Sequence, residues 1–81
     1  MDREHRIEEE VFAVLRTLTP RGTLIERHHK LLADLHLLSD DATAMALDLE
    51  REFHVKVPRS EWENVFTVQD VIELLCRHVK D

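Results

Sequence analysis

Few side chains in this 81-residue chain carry chemistry of their own, and each can be weighed by what its neighbours allow. Cys76 is the single cysteine, so it cannot close an internal disulfide or build a thiolate metal site. As a nucleophile it would need a base, and His78, two residues on, faces another side of a helix. Cys76 therefore reads as a small core or boundary residue. His28 and His29 are adjacent, and neighbours on a helix point about 100° apart, a poor chelating arrangement. No His-Glu-x-x-His pattern occurs, so no metal is expected. Ser39 precedes Asp40, Asp41 and an apolar stripe, which marks the start of a helix. A hydroxyl there can cap the helix or, if exposed, accept a modification. A phosphodiester at that place meets unsatisfied N–H groups and the positive end of the dipole, while Asp40 and Asp41 repel it. Read locally, Ser39 is an N-cap. No acid–base pair with a pocket around it emerges, so the chain is not expected to be an enzyme by itself.

The bulk properties narrow the choice further. Lys and Arg number 11 against 17 Asp and Glu, a formal charge of −6 and the wrong sign for binding a nucleic acid backbone. A lone glycine, Gly22, excludes glycine-rich phosphate loops and argues against a β-sandwich or barrel. No apolar run approaches the roughly 20 residues of a membrane span, and no secretory signal is recognisable. The chain is expected to be cytoplasmic and monomeric. Eighty-one residues make one small domain, 1–81, with little apolar surface to spare.

The elements that must position these residues follow from periodicity. Ile7, Val11, Val14, Leu15 and Leu18 form one helical stripe between about Asp2 and Leu18, and Pro20 and Gly22 end it. Residues 19–38 are less regular, a turn and a possible short helix before an ordered loop. Seven aliphatics (Leu24, Ile25, Leu31, Leu32, Leu35, Leu37, Leu38) are expected to pin the stretch. From Ser39, a stripe of Ala42, Met45, Ala46, Leu49 and Phe53 predicts a helix to Phe53 or His54. Val55 and Val57 then alternate in an extended connector ended by Pro58. Ser60 and Glu63 read as a capping box opening a short helix around Trp62. Thr67 and Asp70 read as a second, before a helix that buries Val71, Leu74, Leu75 and Val79. The fold class is all-α: a small antiparallel bundle of three to four helices with a long loop between the first and second.

In this order the elements resemble an acyl carrier protein. The run "LEREFHVKVP" (49–58) is similar to the acidic end of that family's second helix, its alternating connector and its proline. "FTVQDVIELL" (66–75) is similar to the start of the family's last helix. "LLADL" (31–35) is similar to the run before the modified serine, and "IEEEVFAVL" (7–15) fits the first helix loosely. The resemblance covers about the whole chain and is most specific in its second half. It implies that Ser39 is the attachment point for 4′-phosphopantetheine, transferred from coenzyme A by a phosphopantetheinyl transferase. The arm's thiol would then carry an acyl or related group as a thioester between acyl-handling enzymes, as in fatty acid, polyketide or related specialised biosynthesis.

The family triplet Asp-Ser-Leu is here Leu38-Ser39-Asp40, and His36 stands where carriers often have glycine. These departures fit a specialised member. They also fit an alternative, a carrier-like interaction or scaffold module that is never phosphopantetheinylated. The resemblance further implies that Asp40, Asp41, Leu47, Asp48 and Glu52 on the second helix meet basic docking surfaces of partner enzymes. Met45, Leu49, Trp62 and Val65 would border a pocket for the carried chain. For Leu49 and Val65 ordinary core packing is the favoured reading.

Overall fold

The computed structural model describes residues 2–79 and shows an all-α helical bundle. Helix α1 spans Arg3–Leu18, α2 Ser39–Phe53, α3 Arg59–Trp62 and α4 Val68–His78. Helix α1 packs against both α2 and α4. The stripes read from periodicity supply the core: Ile7, Val11 and Leu15 from α1; Met45, Leu49 and Phe53 from α2; Val71 and Leu75 from α4. Val68 and Ile72 of α4 and Val79 just beyond it belong to the same cluster. Val14, Leu18, Trp62, Val65 and Cys76 pack on its margin. Among the described residues no polar or charged side chain is buried and no buried side-chain N or O lacks a partner. No described helix is long and apolar enough to cross a membrane.

Each helix starts and stops for a local reason. Asp2 caps α1 by accepting from the His5 N–H at 2.8 Å. Thr67 and Asp70 form the expected reciprocal box on α4, with Thr67 Oγ1 accepting from the Asp70 N–H and Asp70 Oδ2 from the Thr67 N–H, both at 3.1 Å. Helix α2 ends at His54, whose left-handed backbone (φ 55) closes the last turn through its N–H to the Glu50 carbonyl. The Ser60–Glu63 box does not form. Helix α3 begins two residues earlier, with Pro58 at its N-cap, so Ser60 lies inside it and Glu63 ends it. The Glu63 carboxylate pairs with Arg59 at 3.5 Å instead.

The long connection between α1 and α2, 19–38, contains no helix, contrary to the short one expected there. It is a chain of turns with one isolated bridge between Lys30 and Thr67. Its order comes from the last helix. The N–H groups of Leu31, Val68 and Gln69 donate across to the carbonyls of Phe66, His29 and Arg27 at 2.9, 3.0 and 2.8 Å. The Arg27 guanidinium adds bonds to Glu8 of α1 at 2.6 Å and to Gln69 of α4 at 3.1 Å. Of the seven aliphatics only Leu31, Leu35 and Leu37 are buried, and Ile25 is half-buried. Leu24, Leu32 and Leu38 face solvent, because an irregular loop presents its apolar residues to no single side.

Candidate functional site

The first turn of α2 carries the candidate site. Leu38, not Ser39, is the N-cap: its backbone is extended (φ −89, ψ 167) and its carbonyl accepts the first helical bond, from Ala42, at 3.0 Å. A hydrocarbon side chain cannot cap, so the start is held from the other side, where Asp41 Oδ2 accepts from the Leu38 N–H at 3.1 Å. The expectation that Ser39 is the cap is thereby corrected by one position. Ser39 is the first helical residue, exposed, and its hydroxyl is not used as a cap. The N–H groups of residues 39–41 precede the first helical donor and form the positive end of a 15-residue helix. An anionic group carried at this helix start would be favoured by these N–H groups and by the dipole. Asp40, exposed, and Asp41, half-buried, oppose its charge.

Two flanking features set the approach to Ser39. His36 has a left-handed backbone, φ 58, three residues before the serine. A residue with a Cβ holds that conformation only against steric cost, so this is a position that favours glycine. Leu38, immediately before the serine, is 69% exposed, a large apolar side chain beside the hydroxyl.

The remaining candidates on α2 divide between two faces. Leu47 is 52% exposed, and its position on the helix lies opposite the buried stripe of Met45, Leu49 and Phe53, on the side that also carries Asp40 and Arg51. Asp48 and Glu52 are exposed but turned toward α1, where with Arg51 they line a shallow groove together with Ala13, Val14 and Thr17. The five docking candidates are thus spread: Asp40 and Leu47 share a face, Asp48 and Glu52 border the groove toward α1, and Asp41, half-buried, is engaged with the Leu38 N–H at the helix start.

The four pocket candidates lie between α2 and the α3 region. Met45 and Leu49 are 2% and 0% exposed and belong to the packed core, while Trp62 and Val65 are half-buried at its edge. A carried chain entering here would have to displace packed side chains. Sequence reasoning missed the residue that organises this edge. Glu50 Oε2 accepts from the Val57 N–H at 2.7 Å and from Trp62 Nε1 at 3.4 Å, tying α2 to the connector and to α3. The signal for it, a Glu on the same side as the buried stripe's border and eight residues before Pro58, is too common to single out.

Cys76 is half-buried in a shallow depression lined by Asp2, Arg3 and Glu4. Burial pushes its thiol pKa up and the Glu4 carboxylate adds to the shift, so it is a poor nucleophile. His28 and His29 lie in a turn rather than a helix, which overturns the premise that their side chains diverge by helical geometry. The chain matches no protein-family model.

Proposed function

We propose that this protein is an acyl carrier, modified at Ser39 with 4′-phosphopantetheine. The observation that carries the reading is Ser39 itself: an exposed serine at the first position of a long helix, its hydroxyl free of capping duty. Three further features support it. The backbone at His36 adopts the conformation glycine favours, where carriers often have glycine. A short helix, α3, follows the connector and is tied to α2 through Glu50, an arrangement a chance resemblance would not require. Thr67 and Asp70 open the last helix where the resemblance puts it.

In this reading Ser39 Oγ supplies the ester oxygen and the first turn of α2 holds the phosphodiester. The arm, when attached, supplies a thiol that carries an acyl or related group as a thioester. The protein's own task is presentation, since a tethered group reaches a high effective concentration at each docked enzyme. Asp40 next to Ser39, and Leu47 about two turns further along α2, face outward and are the residues for a partner surface to read. Complementary charge there speeds and orients encounter rather than adding much affinity.

The exposed Leu38 favours one competing reading, a carrier-like interaction module that uses the same end of α2 without the arm. Intact mass after incubation with coenzyme A and a panel of phosphopantetheinyl transferases separates the two. The carrier gains one phosphopantetheinyl mass, and Ser39→Ala abolishes the gain. An unmodified chain with every transferase, or a gain that survives Ser39→Ala, rejects the assignment.

A further inference from the structure

We propose that the turn Glu26–His29 is a binding site for a divalent transition metal of the zinc type. One ligand atom from each of Glu26, His28 and His29 lies within 4.8 Å of the others. Zinc takes imidazole nitrogen and carboxylate oxygen at about 2.0–2.2 Å in tetrahedral geometry, which puts ligand atoms about 3.4 Å apart. The three groups are therefore close to a coordinating arrangement, and the two outer side chains have room to close. His28 is 72% exposed and Glu26 46% exposed.

The turn explains why adjacent histidines converge here. The His29 N–H donates to the Glu26 carbonyl at 3.1 Å, and in return the Glu26 N–H donates to His29 Nδ1 at 3.1 Å. This reciprocal pair folds the His29 ring back over the turn. The two imidazoles lie edge to face with centroids 4.6 Å apart, and Glu26 Oε1 stands 3.4 Å from His28 Nδ1. A helix would have sent the rings about 100° apart. A metal taken at His29 Nδ1 replaces the Glu26 N–H and leaves that ring's proton on Nε2. Imidazole and carboxylate together suit zinc and its neighbours better than calcium or magnesium, which prefer oxygen alone.

The scaffold beneath the turn is fixed. The carbonyls of Arg27 and His29 accept from Gln69 and Val68 at the start of α4, and the Arg27 side chain reaches α1 and α4. Three protein ligands leave a fourth position open, for water or for a side chain of another molecule. The site does not depend on the fate of Ser39. It lies in the loop, away from the first turn of α2 in sequence, and would hold metal whether or not the serine is modified.

Calorimetric titration of the full chain with Zn²⁺ tests the site, with His5→Gln as control because His5 and Glu9 form a second exposed pair on α1. One Zn²⁺ per chain is expected. His28→Gln, His29→Gln and Glu26→Gln should each weaken it by at least about tenfold, while His5→Gln leaves it unchanged. A Zn²⁺-dependent rise in unfolding midpoint should disappear in the His28→Gln/His29→Gln variant. Absence of stoichiometric binding, binding that survives the double substitution, or binding lost with His5→Gln overturns the proposal.

Discussion

At the scale of single residues, backbone conformation says more than side-chain identity. His36 and His54 both hold positive φ, 58 and 55, and both carry a Cβ that makes the left-handed region costly. The strain is about 1–2 kcal/mol per residue, and glycine would relieve it while adding roughly 0.5–1 kcal/mol of unfolded-chain entropy. His36→Gly and His54→Gly should each stabilise the fold by about 0.5–1 kcal/mol in urea unfolding. A loss of stability at His36 would mean that its ring makes contacts worth more than the strain. Cys76 supplies a second residue-scale expectation. Burial first, then Glu4, raises its thiol pKa in the folded protein. The unfolded chain therefore releases the thiol proton at lower pH than the native one. The stabilising contribution is complete below the unfolded thiol pKa and is lost as pH rises through the folded value. Native protein should consequently react with a disulfide reagent more slowly than urea-unfolded protein, and the pH midpoint of its reaction should lie higher. Equal midpoints in the two states would show that the thiol is solvated like an exposed one.

At the scale of elements, Glu50 joins three of them. Its carboxylate takes the Val57 N–H at 2.7 Å and Trp62 Nε1 at 3.4 Å, so it ties α3 to α2 beside the packing of Trp62 on the core margin. Hydrogen bonds to charged groups contribute about 1.5–3 kcal/mol each when partly buried, and the longer one counts for less. Glu50→Ala should cost about 2 kcal/mol and red-shift Trp62 emission as the indole loses its partner. Glu52→Ala, exposed on the groove toward α1, should stay within about 0.5 kcal/mol. Similar costs for the two would show that α3 is held by packing alone. The helices themselves were legible in the amino-acid order because their apolar stripes repeat with a helical period. Ile7–Leu15, Met45–Phe53 and Val71–Leu75 all reach the core as that period requires. The loop was not legible, because its order comes from backbone pairs some 40 residues apart, such as Arg27 with Gln69. Such pairs leave no periodic trace. The same loss of helical geometry brings His28 and His29 together where a helix would have parted them. At Ser39 the reading erred by one residue, since a leucine in the N-cap position carries no side-chain signal and the backbone alone marks the start. The serine's neighbourhood, exposed and followed by two acids, was readable; the left-handed turn at His36 was not.

At the scale of the whole molecule, charge balance and exposed apolar surface act together. The formal charge is −6 with neutral histidines, and full protonation of the six histidines brings it to zero. The isoelectric point of the sequence is about 5.4, so the chain passes through zero charge a little above pH 5. Repulsion between copies then vanishes while Leu24, Leu32, Leu38, Leu47 and Phe66 remain exposed, each more than half open to water. Molecules in that state lose the charge that keeps them apart and keep the surface that draws them together. Turbidity should therefore peak at about pH 5.4 and fall on either side, as carboxylates protonate below it and histidines lose charge above it. The two glycine substitutions that relieve strain also remove two titrating cations. In the His36→Gly/His54→Gly protein, full histidine protonation leaves two negative charges uncompensated, so the peak must move to lower pH, where carboxylates begin to neutralise. Leu38→Ser should lower the peak without moving it, because it removes apolar surface and no charge. A peak that stays in place when the histidines are removed, or one that Leu38→Ser displaces along the pH axis, would show that association follows a specific contact rather than net charge.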